Sequence, residues 1–478
     1  MDSRAPAHES GTLPAAPPAV EPGPPPDEGS RWYTEHTALF ISTSKWALLG
    51  AGGGACVGLG TRAFLWSLGA AATGVTALMA GIAPFILLPL ALPACVWLIR
   101  TFAPDARGHG TEAVIAAVHQ RSGRVNWRIA PVKLAATVLT LAFGGSVGKE
   151  GPAAQIGASL TSLLSDVLRL SDEDRRRLVI CGISGGFAAV FGTPVSGALF
   201  GVEVLYLGRL DYAVLFPALV AGIVAHLVCG VQPPFGMVHD SLAALGSVMS
   251  IVVALGAGAF FGLVAWLLID SMRVLGRLAS RLASHPYALA SLGGVVLAGL
   301  YASFGSQYAG LGTDTIHAVL AGTSVVALGA FLVKILTTSV TLETGGSGGI
   351  VTPIFFVGAT SGAALAHVFG LSQGLIASFG FVAVLAAAAN TPIAAAVMGI
   401  ELLPASEGVY AALAALTAFL IVGHRSVYAS QRLGFSKSAG LEMELDGPIG
   451  DVNRSNVRVR KGTLTDRVHR IGRGNGRD

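Results

Sequence analysis

The sequence predicts an all-α polytopic membrane protein made of two homologous halves with broken and re-entrant helices. Three observations carry this prediction. Of 478 residues, 53% are hydrophobic and only 12% are charged, about half the ~25% charged share of an ordinary soluble domain. Uncharged stretches long enough to cross a hydrocarbon core of ~30 Å recur from about Ala47 to Val422. Two motifs also recur in the same order at nearly one spacing. Thr193–Leu205 reads against Thr391–Leu403 at an offset of 198, with six identities in 13, and Gly144–Pro152 reads against Gly345–Pro353 at an offset of 201. The 63 glycines suit close helix packing in a bundle, and no Gly-X-Y period points to collagen.

Residues 1–32 form a Pro-rich arm, read as disordered because it holds acidic residues and no apolar core of a targeting signal. The first membrane repeat spans 33–235, a linker 236–245, and the second repeat 246–432. The cleanest span is Gly246–Ile269. Other apolar tracts, at Leu134–Phe143, Ala153–Ser165 and Pro194–Val202, are too short to cross singly. The tract Leu134–Leu168 is interrupted at its middle by Gly144–Pro152 and flanked by Arg121, Arg124 and Arg128 before it and Arg175, Arg176 and Arg177 after it. The positive-inside rule places both ends in the cytoplasm, so the tract reads as a hairpin of half-helices turning at membrane depth. Such a turn is tolerated where protein buries it or a watery cavity receives it. Arg273, Arg277, Arg281 and the basic tail 433–478 fit one orientation, with both termini cytoplasmic.

Interrupted segments at matching places in two halves point to a midplane site. Each Gly-rich run ends in a proline suited to a first helical turn, leaving free N–H groups at the helix start. The macrodipole adds roughly half a positive charge there, which attracts a small anion. Glu150 stands inside one such run. An acid within a membrane is a functional candidate, although an acid in a first helical turn also serves the dipole without gating anything. Where the site binds anions, the Glu150 carboxylate is a tethered competitor released by protonation, which couples anion movement to protons.

The remaining residues carry less. Cys56, Cys95, Cys181 and Cys229 lie in apolar stretches without metal-ligand spacing, so packing is their role and neither a metal nor a cofactor is expected. Glu343, Glu401 and Asp314 are acids in or near apolar tracts; Glu401 repeats Glu203 and is read as bracing a helix end. His226, His317 and His367 are read as structural. No catalytic motif is present, which argues against an enzyme. The net charge of +4 gathers on no single face, which argues against nucleic acid as a partner.

Taken together, the motifs resemble the CLC family of chloride channels and chloride/proton exchangers. Gly148-Lys149-Glu150-Gly151-Pro152 is similar to its GK/REGP signature, and Gly348–Pro353 to its GxFxP segment with Val351 in place of Phe. Gly108–Glu112 looks like a degraded GSGIP segment, and Tyr428 matches the late pore tyrosine. The likeness runs from about 40 to 432. It implies a homodimer in the lipid bilayer with one anion path per subunit. Anion-binding amides are implied at Ile350 and Val351 and from Gly148 through Lys149 to Gly151, with Glu150 as the external gate and Tyr428 as hydroxyl donor. His109 stands where the family commonly has Ser. It either donates an N–H to the anion or caps the helix at Thr111, or it makes the inner gate pH-sensitive, and it leaves anion preference open.

Val204 falls where the family's internal proton-transfer glutamate stands, as in the channel branch, and Glu203 matches the acid before it. Glu203 and Val204 therefore mark the possible proton path, with water bridging from Glu203. The implied function is transport of chloride or a similar monovalent anion coupled to protons. The alternatives are an uncoupled proton-gated channel, or a variant selective for fluoride or nitrate. The tail is too short for paired CBS domains and reads as a solvated, partly disordered end.

Overall fold

The computed structural model describes residues 28–79, 81–231, 246–323, 326–452 and 457–472. The described residues up to Lys45 form one unit and those from Trp46 onward another. The linker and most of the Pro-rich arm lie outside the described residues.

Helices dominate, and they come in two matched series of eight. The first series is α1 (Glu28–Leu78), α2 (Leu88–Phe102), α3 (Thr111–Gln120), α4 (Ile129–Ala142), α5 (Glu150–Val167), α6 (Asp172–Phe191), α7 (Pro194–Glu203) and α8 (Tyr212–Cys229). The second series is α9 (Ser247–Ser280), α10 (Pro286–Phe304), α11 (Thr313–Leu320), α12 (Ala330–Glu343), α13 (Val351–Phe369), α14 (Gln373–Ala389), α15 (Pro392–Leu402) and α16 (Ala405–Ile421). A final helix, α17, covers Leu464–Gly472. Six helices among the described residues are long and apolar enough to cross a membrane.

The expected hairpin is present as α4 and α5, and its counterpart as α12 and α13. The turn after α4 is closed the same way in both halves. Gly145 N donates to the Thr140 carbonyl at 2.8 Å and Gly346 N to the Thr341 carbonyl at 2.8 Å. Each half also braces the other: Ser146 N donates to Thr341 Oγ1 at 3.1 Å, and Ser347 N to Thr140 Oγ1 at 3.0 Å.

Glycine brings the core helices into backbone contact. A Cβ added at Gly157 of α5 would meet the Gly182 carbonyl of α6 at 2.4 Å, and one added at Gly358 of α13 would meet the Gly380 carbonyl of α14 at 2.2 Å. A side chain at any of these four positions would push a buried helix away from its neighbour.

The short helices α7 and α15 run antiparallel and cap each other. Glu203, at the end of α7, accepts from Ile393 N at 3.0 Å and Ala394 N at 2.8 Å in the first turn of α15. Glu401, near the end of α15, accepts from Val195 N at 3.1 Å and Ser196 N at 3.0 Å in the first turn of α7. Each carboxylate satisfies amides that have no intrahelical acceptor and sits at the favourable end of the partner's dipole.

Among its described residues, the tail carries short strands. Strand β1 (Tyr206–Leu207) pairs in parallel with β2 (Arg432–Leu433), and β3 (Leu441–Glu442) pairs antiparallel with β4 (Arg458–Val459). Ile449 is buried with Leu207, Phe419 and Leu433, so apolar burial fixes a segment whose composition reads as polar.

Candidate anion-binding site

The starts of α5 and α13 meet at the pseudo-twofold. Gly148 and Gly349 exchange both backbone hydrogen bonds, each 2.6 Å long. The Gly148 amide, one of those expected to bind an anion, thus donates to the Gly349 carbonyl. A Cβ on Gly349 would lie 2.7 Å from Gly151 N and 3.3 Å from Glu150 N, so only glycine lets the two helix starts come this close.

Glu150 is buried and reaches across to the other half. Its Oε2 accepts from Thr352 N at 3.1 Å, and its Oε1 accepts from the Thr352 hydroxyl. A carboxylate therefore occupies the first turn of α13. Ile350 and Val351 carry the amides expected to bind an anion; the donors that meet the Glu150 carboxylate belong to the next residue, Thr352. The reason is helical: Val351 and Thr352 both carry N–H groups without an intrahelical acceptor, and Pro353 behind them has none to offer. Both Ile350 and Val351 are buried at this junction. Lys149, at the N-cap of α5, is half-buried, and its ammonium lies within electrostatic reach of Glu150 and Cys229.

Gly110 has φ of +84°, and a Cβ there would strike the Gly151 carbonyl at 2.4 Å. Reciprocally, a Cβ on Gly151 would strike the His109 carbonyl at 2.0 Å. The chain at His109 thus lies directly against the residue after Glu150. The His109 and Tyr428 rings stand 5.7 Å apart, and neither His109 Nδ1 nor the Tyr428 hydroxyl has a hydrogen-bond partner among the described residues. Two unengaged polar atoms, buried together, are what a small anion or a water would meet. A cavity of about 1270 Å³ opens beneath them, lined by His109, Glu112, Arg273, Arg277, Arg425 and tail residues including Gly450.

Sequence reasoning missed two lysines that hold this geometry. Lys133 on α4 is fully buried and donates to the Ala106 and Gly108 carbonyls at 3.1 and 2.5 Å. Lys334 on α12, also fully buried, donates to the Tyr308 and Gly310 carbonyls at 3.0 and 2.9 Å. Lys133 thereby fixes the loop that carries His109. The signal was legible, since 133 and 334 differ by the same 201 that relates the Gly-rich runs. Both Glu203 oxygens sit on α15 amides, and Val204 is fully buried and aliphatic.

Two inverted halves, with broken helix starts converging on a carboxylate, place the chain among membrane transport proteins. The profile described as voltage gated chloride channel matches residues 90–423. The chain belongs to this family, the CLC family, whose members are transporters and channels rather than enzymes. The chloride/fluoride channel protein of Pseudomonas syringae pv. tomato is 39% identical over 399 residues, covering 77% of this chain and 87% of the relative. The H(+)/Cl(-) exchange transporter ClcA of Klebsiella pneumoniae is 27% identical over 337 residues, covering 66% of this chain and 71% of the relative. A crystal structure of a CLC-type fluoride/proton antiporter superposes with a TM-score of 0.75 at 26% identity, covering 82% of this chain and 98% of that one.

Proposed function

We infer that this protein moves chloride, or another small monovalent anion such as fluoride, across the membrane in exchange for protons. One observation carries the reading: the Glu150 carboxylate occupies the start of α13, bound by the Thr352 amide and hydroxyl. An anion attracted to that helix start competes with this carboxylate, and protonation removes the competitor's charge. The names of the three relatives, two of them exchangers of a halide for protons, support the same reading. His109 and Tyr428 form the inner end of the path. The Gly151, Ile350 and Val351 amides line its middle together with Thr352, and Lys149 adds positive potential.

The charge pattern of the loops supports an orientation with both termini cytoplasmic in an inner membrane. A homodimer, the assembly that the family resemblance implies, fits the same reading. A second reading, an uncoupled channel, is favoured by one observation: Val204 offers no titratable group where the family's exchangers carry an acid.

The test is flux from liposomes holding the full-length protein, with chloride and fluoride electrodes and a pH electrode read together. An imposed anion gradient is expected to drive protons uphill, and Glu150→Gln is expected to abolish that proton movement. Anion flux without proton movement in the wild type would establish the channel reading, and absence of both fluxes would reject transport.

A further inference from the structure

A proton that reaches Glu150 must cross buried protein to the tail side, and the first candidates for the crossing are occupied. Val204 carries no proton, and Glu203 has an α15 amide on each oxygen. Three acids line the cavity under His109: Glu112, Asp270 and Glu343. Asp270 is ion-paired with Arg425, and Glu343 ends α12 beside Gly276, where a Cβ would meet its Oε2 at 2.9 Å.

Glu112 differs from both. It stands in the first turn of α3, three residues after His109, and its Oε1 accepts from Ser430 N at 2.8 Å and Ser430 Oγ at 2.5 Å, two residues after Tyr428. It thus joins the two chain segments that carry the His109–Tyr428 pair. Its Oε2 is buried with no hydrogen-bond partner among the described residues. The charged groups sharing its cavity are Arg273, Arg277, Arg425, Asp270 and Glu343, with His109 and His424.

Resting on the exchange reading above, we propose that Glu112 is the inner proton carrier. Water in the cavity protonates Glu112 Oε2, and that proton passes by water past His109 and Tyr428 to the Glu150 carboxylate. Glu112 returns to the carboxylate for the next cycle, so each transfer makes one O–H bond as another breaks.

The experiment compares full-length wild type, Glu112→Gln and Ser430→Ala in liposomes under an anion gradient, recording anion and proton fluxes across pH. Glu112→Gln is expected to cut proton movement about tenfold or more, a barrier change of roughly 1.4 kcal/mol, while anion flux stays within about twofold. Ser430→Ala is expected to keep both fluxes and to move the pH at which proton movement is half-maximal upward, because a donor to the charged carboxylate is gone. A wild-type proton-to-anion ratio in Glu112→Gln would overturn the proposal and leave the exchange reading standing. Equal loss of both fluxes in Glu112→Gln, with Ser430→Ala showing an unmoved pH profile, would make Glu112 structural and also overturn it. A wild type that moves anions but no protons would defeat the exchange reading, and this role with it.

Discussion

Thr352 gives the Glu150 carboxylate two donors from one residue, an amide fixed by the helix and a hydroxyl fixed by its rotamer. A hydrogen bond to a charged group contributes about 1.5–3 kcal/mol. Thr352→Val keeps the shape and the amide but removes the hydroxyl. The carboxylate is then expected to leave the α13 start more readily and anion flux to rise about tenfold, as a loss of ~1.4 kcal/mol requires. Unchanged or slower anion efflux in Thr352→Val would show that the hydroxyl does not hold the gate closed. Nothing in the sequence marked Thr352, because a threonine at a helix start is ordinary. Its importance comes from a partner 202 positions away. Glu150, by contrast, was legible, since an acid between glycines and a proline in an apolar tract has few bland explanations.

At the scale of elements, α7 and α15 show how a repeat becomes a joint. Each contributes a glutamate near its end to the other's first turn, and the two carboxylates are 198 positions apart in sequence. Removing either leaves two first-turn amides without acceptors, at a cost of up to about 1–3 kcal/mol. Glu401→Ala and Glu203→Ala are both expected to lower the melting temperature in detergent. In the surviving folded protein the proton-to-anion ratio should stay at its wild-type value. A changed ratio in Glu203→Ala with normal stability would restore that residue to the proton path. The glycine contacts make a harsher prediction. Gly380→Val places branched carbons where a single Cβ already meets the Gly358 carbonyl at 2.2 Å, so folded protein should be lost on gel filtration. Gly370→Ala on the same helix series, with open space around it but φ of +65°, should keep the fold and cost only about 1–2 kcal/mol, the strain of a Cβ in the left-handed conformation.

For the whole molecule, the tail contributes Gly450, Val452 and Val457 to the wall of the cavity. Lys437 is its anchor, donating to Asn390 Oδ1 at 2.7 Å and to the Phe419 carbonyl at 2.6 Å. Burial pulls its pKa down to about 6. The unfolded chain therefore binds a proton that the folded one has released, between about 6 and the ordinary lysine value. Across that window the contribution of this site to stability rises with pH. The melting temperature of wild type minus that of Lys437→Met should accordingly increase from pH 6 to pH 9. A flat difference would show that the ammonium is kept on folding.

The sequence by itself determined the class and the plan: apolar spans, two halves in register, Gly-rich breaks at matching places, and an acid in one of them. Those features are local or repeat at a fixed offset, so hydrophobicity, helix ends and alignment of the chain with itself suffice to read them. Only the tertiary structure decided which groups engage. It paired the Gly148 amide with the Gly349 carbonyl, set the Thr352 amide and hydroxyl on Glu150, put Glu203 on the first-turn amides of α15, and brought tail residues to the cavity wall. Those outcomes depend on ångström-scale distances between residues far apart in the chain, where a hydrogen bond is either made or missed and composition carries no record of which.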